Sequence, residues 1–281
     1  MDEIINEAVT VTPDVPQSST TPMDNINQGT VAIEASRAVA EAQGKLVIAK
    51  KFPRNEIQAF AAMKKACQRT GLANKAFYSY PRGGETVSGP TIRLAEELAR
   101  CWGNIDFGIK ELSQDNGKSE MQAYAWDLET NTMSVQNFTN PHAKEVRGKI
   151  KTLTSLRDIY ENNANMAGRR LRARILAVLP ADFVEEAVAE CRKTLAGKNN
   201  VPLTDRVRKM VVEFEKLGVT QEMIEKRLSR GLDTMTSDDL ADYIGIYNSL
   251  REKNTKTSDW FEYDKISTDI SEEIDEMIKD R

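Results

Sequence analysis

Residues 104–141 read NIDFGIKELSQDNGKSEMQAYAWDLETNTMSVQNFTNP, and they constrain the fold more than any other stretch of this 281-residue chain. NIDFGIKELS, a QDNGKS turn and the segment from Met121 to Pro141 predict a three-stranded antiparallel meander. Within it Tyr124 and Trp126 point one way and Ala123 and Ala125 the other, the period of two that a pleated strand imposes. So small a sheet must bury one face against another layer, and helical patterns precede and follow it. The expected class is therefore α+β: a small antiparallel meander flanked by helices, followed by a small C-terminal three-helix module.

The first 30 residues are rich in Pro, Ser and Thr and poor in large apolar side chains, the composition of a disordered tail. VAIEASRAVAEAQG (31–44) reads as a short helix stopped by Gly44, ahead of a strand-like KLVIAKKF. Asn55 is placed to cap a helix running to Gly71. KAFYSYPRGGETVSGPTI has the look of a hairpin or loop turning at Gly83 and Gly84, and residues 91–103 form an amphipathic helix. AKEVRGKIK (143–151) lacks convincing periodicity and is expected to be a loop. A helix follows from about Ser155 to Leu179, halted by Pro180, and then another over DFVEEAVAECRKTLAG. The domain expectation is a tail with a short helix (1–44), a core (45–196), a linker (197–204), a helical module (205–253) with Thr or Ser N-caps, and an acidic tail (254–281).

Net charge is −4, but it is unevenly spread. Residues 45–197 hold 24 Lys and Arg against 17 Asp and Glu, whereas the two flanks together hold 15 against 26. A basic centre between acidic ends points to a polyanionic partner. With three widely spaced cysteines and one histidine, His142, neither a disulfide framework nor a structural zinc site is expected. The N-terminus lacks the basic start and apolar run of a signal peptide, and no apolar segment reaches the ~20 residues of a membrane span. A reducing cytoplasm fits best.

The positive charge concentrates in DIYENNANMAGRRLRARILAVLP (158–180). On a helical wheel Tyr160, Ala164, Ala167, Leu171, Ile175 and Val178 form an apolar stripe expected to pack on the sheet. Asn162, Asn165, Arg169 and Arg172 form a polar stripe, continued around the helix by Asn163, Arg170 and Arg174. Gly168 in mid-helix costs about 1 kcal/mol against Ala, a cost usually tolerated for close packing or contact. A solvated face whose arginines pair with Asp158, Glu161, Glu185 and Glu186 is the ordinary explanation. Against it, the window 144–174 has nine cations and only three acids. Arg is also used four times over Lys, which suits bidentate phosphate contact and stacking on bases. Candidate DNA-binding residues are thus Lys149, Lys151, Arg157, Asn165, Arg169, Arg170, Arg172 and Arg174, with Arg93 on the preceding helix.

The order of these segments carries a resemblance. CQRTGLANKAFYSYP leads through GPTIRLAEELARCWGNIDFGIKEL into the meander, and then to the acidic-aromatic start, small residues, Arg pair and Leu-Pro stop of 158–180. This order resembles the RecT/Redβ family of phage single-strand annealing proteins over roughly residues 45–195. The resemblance implies a non-enzymatic, ATP-independent protein without cofactor or metal, acting in the bacterial host cytoplasm. It would bind single-stranded DNA, hold the annealed duplex, and work as a homo-oligomeric ring or helical filament. It also implies a 5′→3′ exonuclease partner and, through the C-terminal helices, host single-strand DNA-binding protein. The alternative is a non-annealing protective or regulatory single-stranded nucleic-acid-binding phage protein.

Other chemistry is poorly supplied. RGGETVSGPT (82–91) has Pro90 where a phosphate-binding loop needs Lys, so it is a turn. The E-x-K and D-x-K tripeptides of restriction-type nucleases do not occur. Tyr78, Tyr80, Tyr124 and Trp126 could stack on bases, although their alternation favours the core face of the sheet. From 205 to 253 nine cations face ten acids, which favours a protein-binding role over a DNA-reading one.

Overall fold

A computed structural model describes residues 27–83, 85–115, 117–146, 149–197, 201–252 and 255–263. The expectations for residues 1–26 and for the tail beyond Tyr263 lie outside the described residues. The chain divides into two compact units, Met1–Lys45 and Leu46–Arg281.

Helix α1 runs unbroken over Gln28–Lys51, so the expected stop at Gly44 and the strand after it are both replaced by helix. A glycine weakens a helix by about 1 kcal/mol but leaves its hydrogen-bond ladder intact, and the first proline after Gly44 is Pro53, just past the end of the helix at Lys51. In the second unit, α2 (Glu56–Cys67) is capped by Asn55, whose side chain accepts from the Gln58 N–H. It ends before Gly71, and a single turn, α3 (Thr70–Ala73), follows. Strands β1 (Phe77–Arg82) and β2 (Glu85–Pro90) form a hairpin. Helix α4 (Ile92–Trp102) is capped by Thr91.

The meander is β3 (Ile105–Asp115), β4 (Lys118–Asp127) and β5 (Thr132–Pro141), antiparallel with β4 central. A bulge at Leu112 shifts the β3–β4 register. Residues 143–152, expected to be a loop, instead form a second hairpin, β6 (Ala143–Val146) with β7 (Lys149–Thr152). Every residue of β7 is exposed, so neither of its faces needed the apolar alternation by which strands are recognised.

Helix α5 (Leu156–Val178) lies across the meander and touches all three strands, with α4 beside it. Helices α2 and α6 (Ala181–Ala196) close the core, where Phe60, Trp102 and Phe183 pack with ring centroids 4.8–6.4 Å apart. Ala123 and Ala125 of β4 are fully buried, while Tyr124 and Trp126 occupy the opposite face. The assignment of that aromatic pair to the core is thereby corrected: the close approach of α5 leaves room only for alanine. On the open face the Tyr124 ring covers Gly108, where a Cβ would lie 3.1 Å from the phenol oxygen.

Helices α7 (Leu203–Glu215), α8 (Gln221–Leu228) and α9 (Ser237–Arg251) gather around Phe214, Ile224 and Leu240 in a second core. Thr220 and Thr236 cap α8 and α9 as expected, whereas α7 begins directly after Pro202 and Thr204 lies inside it. Trp260 and Phe261, assigned from sequence to the tail, are 5% and 3% exposed within this second core. Two large aromatics filling the space between helices move the beginning of any tail past Phe261. Nor do the helices stand apart as a separate module. Helix α9 packs on β1 and α6, with Asn248 donating to the carbonyls of Asn74 and Phe77 and Ser249 Oγ accepting from the Ser79 N–H. Among the described residues no helix is long and apolar enough to cross a membrane.

Candidate nucleic-acid interface

Burial on α5 follows Ile159, Asn163, Ala167, Leu171 and Ile175, a ridge of residues four apart. Such a ridge is inclined to the helix axis, so a helix crossing a sheet obliquely rolls its buried face as it advances. The stripe expected from the wheel is corrected accordingly. Tyr160 is 70% exposed, Ala164 is exposed, and Asn163 is buried instead.

Asn163 is satisfied by a polar cluster that no periodicity announces. Its amide donates to Ser119 Oγ at 2.8 Å and to Glu111 Oε1 at 3.3 Å, and its carbonyl accepts from Asn140 Nδ2 at 2.7 Å. Ser119 Oγ in turn meets His142 Nε2 at 2.8 Å. The His142 backbone pairs with Gly117 on one side and Leu153 on the other. The lone histidine therefore anchors the base of the β6–β7 hairpin to the sheet. The hairpin's cations, Lys144, Lys149 and Lys151, are exposed, on the two strands that immediately precede α5 in the chain.

The arginines occupy two flanks of α5. Arg170 stacks on Phe138 of β5 with its guanidinium carbon 4.2 Å from the ring centroid, and its Nη1 donates to the Met166 carbonyl at 3.0 Å. Arg172 stacks on Tyr78 of β1 at 4.2 Å, and Tyr78 is itself stacked on Tyr80 at 5.9 Å. The Nε atoms of Arg170 and Arg174 are shielded from solvent and have no hydrogen-bond partner among the described residues. Arg157, Asn165 and Arg169 are exposed. Among the described residues no carboxylate lies in ion-pair range of Arg157, Arg170, Arg172 or Arg174. Glu186, one of the proposed neutralising acids, pairs with Lys64 at 2.6 Å.

Two sequence expectations fare differently. Arg93 lies on α4 and pairs with Glu96 at 3.3 Å, in a mixed-charge group with Glu97 and Arg100. Gly168 has open space beside it, since a Cβ there would meet nothing within 4 Å, so internal packing does not require the glycine. A buried network missed from sequence joins Arg54 to Asp127 and Glu129. Arg54 Nε donates to Glu129 Oε1 at 2.9 Å, its Nη2 donates to Asp127 Oδ1, and its guanidinium lies 4.9 Å over Trp102. Burial alone would raise the Glu129 pKa, but hydrogen bonds from Asn104 and Arg54 outweigh it and hold the carboxyl below its ordinary value. These partners are some 75 residues apart, so only the fold brings them together.

From Arg157 to Arg174 the helix rises about 26 Å, the length of roughly seven stacked nucleotides at ~3.4 Å each. Cations recur along this length, and near its C-terminal end Arg172 lies against the stacked pair Tyr78 and Tyr80. Among the described residues no cluster of three or more His, Cys, Asp or Glu is arranged to hold a metal ion. No family model matches the chain, and neither a curated protein nor a solved structure matches it.

Proposed function

We propose that this chain binds single-stranded DNA along α5 and the β6–β7 hairpin and promotes annealing of complementary strands without nucleotide hydrolysis. The observation that carries the reading is the state of the guanidinium groups. Arg170, Arg172 and Arg174 are held in place by aromatic stacking and burial, yet among the described residues no carboxylate neutralises them. Half-buried arginines fixed in this way retain their charge for an outside anion, and a guanidinium plane can bond phosphate in a fork while stacking on a ring. Lys149, Lys151 and Arg157 extend the positive track, and Asn165 and Arg169 lie on its outward side.

Annealing on this strip needs no covalent step. Cations screen the backbone repulsion between two strands, the base edges stay free to pair, and the helix holds the nascent duplex while neighbouring subunits extend it. Exposed Val31, Ile33 and Val39 on α1 are consistent with self-association into a ring or filament. The resemblance in segment order to the RecT/Redβ proteins supports the same reading. By extension it proposes a phage recombination role in a bacterial cytoplasm, with an exonuclease and the host single-strand DNA-binding protein as partners.

Pairing of two complementary oligonucleotides, followed by fluorescence quenching, tests the proposal. Faster pairing in the presence of protein is the expected result. Tight binding to each strand with slowed pairing would assign a protective role instead, and failure to bind either strand would overturn the interface altogether.

A further inference from the structure

A cavity of about 520 Å³ opens between α3, the end of α6, α7 and α9, far in sequence from the α5 strip. Its floor is apolar, made by Leu195, Met210, Leu240 and Ile244. Four cations, Lys75, Arg206, Lys209 and Arg251, line it together with one acid, Glu213. That acid is already occupied, by Lys216 Nζ at 2.5 Å and the Tyr247 hydroxyl at 3.1 Å. Arg206 is the unusual member. Its Nη1 is sealed from solvent with no acceptor among the described residues, and burial depresses the pKa of the group. A sheltered, unanswered guanidinium N–H beside an apolar floor is a receptor for an acidic segment that also carries apolar side chains.

The chain contains such a segment. Residues 264–281, DKISTDISEEIDEMIKDR, hold seven acids against three cations. Ile266, Ile270, Ile274 and Ile278 recur every four residues, with Asp269, Glu272, Glu273, Asp275 and Glu276 between them. We propose that residues 264–281 dock in this cavity, isoleucines on its floor and carboxylates on Arg206, Lys209 and Arg251. The point of attachment favours it. Two ring-to-ring steps of 5.7 Å lead from Phe261 through Phe214 to Tyr247, which lines the cavity. Eighteen further residues, at up to ~3.3 Å each when extended, reach it with length to spare. Charge complementarity also selects this cavity over the exposed lysines of the β6–β7 hairpin, which offer cations without an apolar floor. The inference is independent of the DNA-binding proposal.

Zero-length carbodiimide cross-linking of the intact chain, read by mass spectrometry, tests it without nucleic acid. The expected products join Lys75 or Lys209 to carboxylates of 264–281, and a mixture of light and heavy-isotope chains gives no mixed-mass pairs. Arg206→Glu/Arg251→Glu should lower their yield at least fivefold. Because charge reversal in a cavity wall can disturb folding, Ile270→Asp/Ile274→Asp serves as a second variant outside the described fold, with the same loss expected. Products joining the tail to Lys144, Lys149 or Lys151 would overturn the proposal, as would mixed-mass pairs or yields that neither variant changes.

Discussion

Removing the Arg54 side chain strikes a buried ion pair of the second unit. The Arg54 side chain is 8% exposed and that of Asp127 4%, so Arg54→Ala leaves a carboxylate in the interior without its cation. Breaking one partner of a buried pair costs about 3–5 kcal/mol. Two backbone N–H groups, of Glu129 at 3.0 Å and Thr130 at 3.4 Å, still point at Asp127 and soften the loss. A value near the lower end, about 3 kcal/mol, is therefore expected, equivalent to roughly 6–12 °C in Tm for a unit of this size. Arg54→Ala/Asp127→Asn should recover part of it, because the stranded charge is gone. Arg208→Ala, which breaks an exposed pair with Asp205, should change stability by less than about 0.5 kcal/mol. Urea denaturation of the four proteins measures all of this. A loss below about 1 kcal/mol for Arg54→Ala would refute the reasoning, since no buried charge could then have been stranded.

Three further outcomes are expected. The depressed pKa of Glu129 contributes stability that is present above the ordinary carboxyl range near ~4.3 and lost as pH falls through the lower folded value. Glu129→Gln should accordingly flatten the acid limb of the stability–pH curve, and an unchanged slope would exclude that contribution. Asn163→Leu strands Asn140 and disturbs Ser119, so a loss of about 2–4 kcal/mol is expected, with faster hydrogen exchange at the Leu153 amide that ties the hairpin base. Gly168→Ala should raise stability by up to ~1 kcal/mol, because the added methyl meets nothing. A rise in Tm with weaker single-strand binding would mean that a bound strand approaches the helix at that glycine.

What could be read from sequence was what leaves a periodic trace. The meander, the caps at Asn55, Thr220 and Thr236 and the stop at Pro180 all follow from local rules, and the structure has them, whereas the inward face of β4 carries its alanines and not the aromatics expected there. The β6–β7 hairpin was missed because a strand with no buried face has no alternation to detect. A regular wheel keeps one face pointing inward, whereas α5 follows a rolling ridge, and Tyr160 and Asn163 were therefore exchanged. Trp260 and Phe261 stood among acids, and charge is a local signal where burial is a tertiary one. At the candidate site, the crowding of cations was legible. Their fixation was not, because Phe138 and Tyr78 come to Arg170 and Arg172 from other elements of the fold.

The central claim is that α5 and the hairpin neutralise the phosphates of a single strand, and the salt dependence of binding measures it most directly. Each phosphate neutralised contributes about 0.7 to the fall of log K with log salt. Lys149→Ala, Lys151→Ala and Arg157→Ala remove exposed cations, and Arg172→Gln removes the guanidinium charge over Tyr78 while keeping a polar side chain. Combined in one protein, with circular dichroism unchanged, they should reduce the slope by roughly 2.8 and abolish annealing at moderate salt. A folded quadruple variant that binds single-stranded DNA with the wild-type slope would contradict the account, because the phosphates would then be held elsewhere.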